Sequence, residues 1–186
     1  MSSAFDQSRP DSFDEDVRLV DRFLGGEAEA FDLLYSKYYD RVYAVAQGVL
    51  LRADEAADAT QEIFTLIYRN LVKFDKRSKF STWIYRVAVN RSIQQARSIK
   101  NQRLNVPLDE AAEQPIASEE SHRDPRVSYA LSKLAPDDRA TITLFYWDDL
   151  SLGEIGESLG ISANAAKTRL FRARERFKHF YEEAPE

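Results

Sequence analysis

Six cations, Lys167, Arg169, Arg172, Arg174, Arg176 and Lys178, crowd a stretch near the C-terminus with only Glu175 against them. No bond-making constellation lies among them. Their chemistry is charge-assisted binding of a polyanion, and a nucleic-acid duplex whose phosphates dominate affinity suits it. Asn164, Thr168 and Phe171 share the outer face of the same segment and offer an amide, a hydroxyl and a ring of the kinds that meet base edges in a major groove. A second set, Arg86, Asn90, Gln94, Arg97 and Asn101, recurs at spacings of four, four, three and four, which places it in one helical stripe. Amides and guanidinium groups in a row suit base edges and phosphates. On spacing alone, a solvated helix face explains that stripe equally well.

Residues that make or break covalent bonds are scarce. The chain has no cysteine, which excludes disulfides, thiolate zinc sites and cysteine nucleophiles, and its only imidazoles are His122 and His179. Asp54, Glu55 and Asp58 could in principle serve a helical hydrolase, but crowded acids at a helix start more commonly partner the helix macrodipole. No metal site and no cofactor are expected.

The elements that hold the cationic segment are legible from local signals. Ser151 followed by Glu154 is a capping box that starts a helix. Ile155 and Leu159 lie on one face of it, Gly160 permits a tight exit, and Ser162 caps a second helix. On that second helix Ala166, Leu170, Ala173 and Phe177 share the inward face. The unit is a helix-turn-helix that presents its cations outward.

A net charge of -5 looks wrong for a DNA binder until the charges are placed along the chain. From Lys73 to Arg103 nine bases face the single acid Asp75, whereas acids dominate Asp6 to Asp32 and Asp109 to Asp124. Two basic surfaces separated by an acidic connector predict two nucleic-acid contacts on one chain. No apolar run approaches the roughly 20 residues needed to span a bilayer, and the acidic, polar start lacks the basic and apolar regions of a signal peptide. Membrane insertion is not expected, and the cytoplasm is the expected location.

In chain order, residues up to about Asp16 read as a polar tail. Apolar residues at helical spacing from Val17 to Leu51, interrupted at Gly25-Gly26, predict two helices. Tyr35, Tyr38, Tyr39 and Tyr43 form a stripe that reads as core and rim packing. Asp54 is expected to cap a third helix with Ala56, Ile63, Ile67 and Leu71 inward, leaving Asp58, Gln61, Glu62 and Thr65 on a polar face. After a short polar loop from Phe74 to Phe80, Ser81 or Thr82 is expected to cap a fourth helix that begins at Trp83. The proline- and acid-rich stretch from Leu104 to about Arg126 reads as a linker. Helical patterning then resumes through Val127, Leu131 and Leu134. The fold class is all-α, with two helical domains joined by an acidic linker and the helix-turn-helix in the C-terminal one.

Three segments in order, Asp58-Ala59-Thr60-Gln61-Glu62-Ile63-Phe64, then Phe80-Ser81-Thr82-Trp83-Ile84-Tyr85-Arg86-Val87-Ala88-Val89-Asn90, then Ser151 to Arg176, resemble the extracytoplasmic-function sigma factors of bacterial RNA polymerase. The resemblance covers roughly 17–180 and implies a domain like sigma region 2 at 17–103, a linker at 104–126 and a domain like region 4 at 127–182. It implies a transcription initiation factor that binds core RNA polymerase, directs it to promoters and aids melting of the minus-ten element. Asp58, Gln61, Glu62 and Phe64 would contact the clamp helices of the largest core subunit. Lys76, Arg77, Ser78, Lys79, Arg86, Asn90, Gln94 and Arg97 would hold the minus-ten strand, with a captured base offsetting part of the unstacking cost. Trp83, at a helix start beside Ile84, is read as a packing residue rather than a melting wedge. Asn164, Lys167, Thr168, Phe171 and Arg172 would read the minus-thirty-five element. The acidic linker would occupy a channel that otherwise holds nucleic acid, and an anti-sigma factor is an implied partner. No catalysis by the chain itself is implied, since the polymerase makes the phosphodiester bonds. Ala165-Ala166 stands where a Thr-Val pair is common and Gly156 where alanine is typical, which predicts looser packing of this unit. A DNA-binding regulator that never joins polymerase would need only the helix-turn-helix, and the two upstream motifs argue against it.

Overall fold

The computed structural model describes residues 9–104, 124–146 and 149–185. Eight α-helices run through them: α1 (Arg9–Leu24), α2 (Glu29–Leu50), α3 (Ala53–Asn70), α4 (Phe80–Leu104), α5 (Pro125–Lys133), α6 (Pro136–Tyr146), α7 (Leu152–Leu159) and α8 (Ala163–Glu182). No strand occurs among the described residues. Most of the expected linker, 105–123, lies outside them. Its last residues belong to the C-terminal unit, because Asp124 caps α5 by accepting from Arg126 N and Pro125 opens the helix.

Each helix follows from its inward stripe. On α2, Ala30, Leu34, Tyr38, Val42, Val45 and Val49 are buried at spacings of three and four. On α3, Ala56, Ile63 and Ile67 do the same, and on α4 Ile84, Tyr85, Ala88 and Val89. Three expected boundaries move. The α1 helix starts at Arg9, before the point where the polar tail was expected to end, and Asp16 is only 3% exposed. Its carboxylate accepts hydrogen bonds from Tyr38 Oη at 2.5 Å and Lys37 Nζ at 2.7 Å, so α1 is pinned to α2. Arg52, not Asp54, occupies the position before α3, and Asp54 sits in the first turn, where the hydrogen bond and charge of Arg52 hold its carboxyl below the usual range. The α4 helix begins at Phe80, with Thr82 buried inside its first turn, because Phe80 packs on Tyr38 and Phe74 and draws the chain inward early. Trp83 lies over the Phe80 ring at 5.9 Å, in accord with a packing role.

The two halves are packed together. One apolar core runs from Val45, Ala46 and Val49 through Ala140 and Leu144 to Ile155 and Ala166. Helix α2 lies on α6, and α4 on α6 and α7. The approach of α2 to α6 is possible because residue 48 is glycine: a Cβ there would fall 2.7 Å from Thr143 Cγ2 and closer still to its Oγ1. At the end of α2, Leu51 adopts a left-handed φ of 69°, unusual for a branched side chain, and its N–H bonds Gln47 O at 2.8 Å. The side chain then packs against Leu131, Leu134, Ile142 and Leu170, a small core belonging to the C-terminal half. That half is closed at its far end by Tyr181, whose hydroxyl donates to Asp124 at 2.7 Å beneath the Arg126 guanidinium.

Candidate nucleic-acid and polymerase interfaces

The helix-turn-helix is built as its local signals require. Ser151 Oγ accepts from Glu154 N while the Glu154 carboxylate accepts from Ser151 N at 3.0 Å, so both free donors at the start of α7 are satisfied. Gly160 takes φ 67° to end α7, and Ser162 Oγ accepts from Ala165 N at 3.1 Å to begin α8. Ala166, Leu170 and Ala173 are buried. Asn164, Lys167, Thr168, Phe171 and Arg172 are all exposed, Phe171 by 66%. The exposed set combines an aromatic ring, two cations, an amide and a hydroxyl.

The expected looseness of this unit is not found. Gly156 is buried, Ile161 N donates to its carbonyl at 2.9 Å, and an added Cβ would sit 2.8 Å from Ile161 O. The turn therefore fills the volume that a larger residue would take, and Gly156 is the cause of a tight crossing. Ala165, by contrast, is exposed and carries none of the packing.

The second basic surface combines α4 with the loop before it. Arg86, Asn90, Gln94 and Arg97 are exposed on α4. In the loop, Lys76 holds a left-handed φ of 61°, a costly conformation for a lysine, and its ammonium meets Asp21 at 2.5 Å. Arg77 projects with its side chain 89% exposed, and Ser78 is half-buried. Two members of this set are engaged by the other half of the molecule. Lys79 Nζ donates to Glu154 at 2.7 Å, and Arg97 donates to Asp137 on α6 at 2.7 Å. Asn90, Gln94 and Arg97 line one side of a crevice of about 230 Å3 whose other side includes Asp137 and Leu159.

Burial alone would push the Glu154 carboxyl up, but hydrogen bonds from Lys79 and Ser151, with the Lys79 charge, bring it down to about 2 from 4.5. Because the folded value lies below the ordinary one, Glu154 stabilises the folded chain fully above about pH 4.5 and loses that contribution as pH falls toward 2. Urea midpoints measured across that range should fall less steeply for Glu154→Gln than for the unaltered chain. Equal slopes would mean that the carboxylate carries no such load.

The third surface is the outer side of α3. Asp58, Gln61 and Glu62 are exposed there. Gln61 Nε2 lies 3.4 Å from Tyr35 Oη, and the Glu62 carboxylate is held by the Arg91 guanidinium of α4, with Nε at 2.6 Å. Phe64 does not belong to this surface. It is 4% exposed, with its ring 4.5 Å from that of Tyr35, so it fixes α3 in place and presents no contact. Sequence reasoning also missed Arg91, Asp137, Gly48 and Thr143. Only Gly48, a lone glycine amid an apolar helical stripe, carried a signal of close approach.

Among the described residues no cluster of potential metal ligands occurs, and no helix is long and apolar enough to cross a membrane. The family model of sigma-70 region 2 matches residues 34–102, and that of sigma-70 region 4 matches 126–177. The ECF RNA polymerase sigma factor SigW of Bacillus subtilis (strain 168) is 36% identical over 167 residues, covering 81% of this chain and 88% of that protein. The fold is that of CnrH in complex with the cytosolic domain of CnrY, at a TM-score of 0.70 and 23% identity over 92% of this chain and 99% of that one. It is also that of the sigma factor RpoE in complex with the anti-sigma factor NepR from Bartonella quintana, at a TM-score of 0.66 and 21% identity over 83% and 98% of the two chains. Two exposed basic surfaces, a capped helix-turn-helix and these matches make one assignment: the chain belongs to the extracytoplasmic-function sigma factors of the sigma-70 family, transcription initiation factors that direct RNA polymerase to promoters.

Proposed function

We propose a division of labour among the three surfaces. Asp58, Gln61 and Glu62 on α3 dock on the clamp helices of core polymerase. Lys76, Arg77, Ser78 and Lys79 with Arg86, Asn90, Gln94 and Arg97 hold the unstacked minus-ten strand. Asn164, Lys167, Thr168, Phe171 and Arg172 read the minus-thirty-five element in the major groove. The functional units are 17–104 and 124–182, with 105–123 as the acidic connector that lies in a nucleic-acid channel of the polymerase. The chain works in the cytoplasm without catalytic chemistry of its own, and an anti-sigma factor, as in the RpoE–NepR complex, controls its access to polymerase.

The observation that carries this reading is the arrangement of α8, where Ala166, Leu170 and Ala173 are buried while all five proposed base-reading residues face outward. Replacing Lys167 or Arg172 by alanine should weaken upstream recognition by about 1 to 3 kcal/mol if each meets a base. The check is footprinting of reconstituted holoenzyme on promoter fragments selected by it. An unchanged upstream footprint in both variants would remove these residues from the assignment.

A further inference from the structure

We infer that Asp21 on α1 is a positioning residue for minus-ten reading: its carboxylate draws Lys76 back and thereby fixes which side chains the loop before α4 offers to the strand. The inference rests on the minus-ten assignment above and gives Lys76 its part there, as the anchor of the loop. Lys76 Nζ donates to Asp21 Oδ1 at 2.5 Å, between residues 55 apart in the chain. Lys76 takes its left-handed φ of 61° at the same point, a backbone state that a residue with a side chain keeps only when its surroundings hold it. Asp75 Oδ1 accepts from Arg77 N at 3.1 Å and closes the turn on the other side. With Lys76 folded back, Arg77 projects from the tip, its side chain 89% exposed.

Both supports of the loop are rigid. At its base Phe74 and Phe80 are buried with their rings 5.2 Å apart, so residues 75–79 span a fixed gap. Asp21 follows the fully buried Val20, on a helix that Asp16 ties to Tyr38 and Lys37. What freedom remains lies in the tip, which the Lys76 ammonium fastens to α1. The side chains of Lys76 and Asp21 are 40% and 54% exposed. An ion pair so exposed adds little to overall stability, so its effect belongs in the choice among loop conformations and not in the fold.

The test measures how well reconstituted holoenzyme separates a labelled single strand carrying its selected minus-ten sequence from strands with one base changed. Asp21→Ala should cut that discrimination about three- to five-fold, the size of effect an exposed ion pair supports. Binding of a mixed-sequence strand should not weaken, and its log K against log salt should steepen by about 0.7 as the freed Lys76 meets a phosphate. A damaged fold would lower both. Arg22→Ala, which breaks a comparable exposed pair with Glu27 near the same end of α1, should leave discrimination unchanged, and an equal loss there overturns the inference. Asp21→Lys combined with Lys76→Asp should restore discrimination, because the pair re-forms with its charges exchanged and aspartate tolerates the left-handed region. Were Lys76 a direct strand contact instead, the exchange would discriminate worse than Asp21→Ala. That result overturns the inference, as does unchanged discrimination in Asp21→Ala. Arg77→Ala keeps the two claims apart. Discrimination lost in that variant but kept in Asp21→Ala overturns the positioning role alone, whereas discrimination kept in Arg77→Ala overturns the minus-ten assignment of the loop and the positioning role with it.

Discussion

Replacing Gln61 and Glu62 together by alanine is expected to weaken association with core RNA polymerase by roughly 30-fold or more, the loss of about 2 kcal/mol that marks a hot spot in an interface. Both side chains lie on the outer side of α3, a helix locked from within by Ile63, Phe64 and Ile67. The backbone is therefore rigid where these groups are presented, and their removal should not unfold the helix. The Arg91 guanidinium already holds the Glu62 carboxylate, which restricts it before any partner arrives and lowers the entropy lost on docking. Affinity measured by calorimetry or by fluorescence of labelled chain checks the prediction, with duplex binding by the unaltered α8 as the control. Undiminished affinity for core would move the docking surface elsewhere.

Gly156→Ala is expected to destabilise the C-terminal half by about 2 kcal/mol. In an ordinary helix interior the same change would stabilise by about 1 kcal/mol, since alanine is the better helix former. Here the new methyl meets Ile161 O at 2.8 Å and Ala163 N at 3.2 Å, which are backbone atoms of the turn and of the next helix. They cannot rotate aside, so the overpacking cost, roughly 1 to 3 kcal/mol, falls at the upper end. Relief requires α8 to tilt away from α7, which would carry Lys167 and Arg172 off register with the groove. Urea denaturation followed by helical circular dichroism, together with the upstream footprint, should register both effects. A more stable variant with an intact footprint would show that the turn accommodates a side chain.

What the sequence disclosed and what it hid divide by distance along the chain. The capping box at Ser151 and Glu154, the left-handed exit at Gly160, the cap at Ser162 and the inward stripe of Ala166, Leu170 and Ala173 all involve groups within a few residues, and each stands as expected. The order of the sigma motifs likewise led to the family that the comparisons establish. The early start of α4 and the burial of Asp16 escaped notice because both depend on partners far away, Tyr38 for each. Phe64 was misplaced because an aromatic beside a polar motif looks the same in sequence whether it faces a partner or a core. The contact between halves was invisible for a stronger reason. Lys79 and Glu154 are 75 residues apart, Arg97 and Asp137 are 40 apart, and each carries the charge of an ordinary solvated face. Gly156 shows the reverse case, where a residue read as a loss of volume is the one the close crossing of α7 and the turn demands.

Promoter direction by this chain is tested by run-off transcription with purified core polymerase on linear templates bearing promoters selected by the holoenzyme. Promoter-dependent transcripts are expected only when the chain is added, lost when Gln61 and Glu62 are both changed and reduced by Lys167→Ala or Arg172→Ala. A chain that binds these fragments by itself yet never yields a promoter-dependent transcript with core polymerase would contradict it.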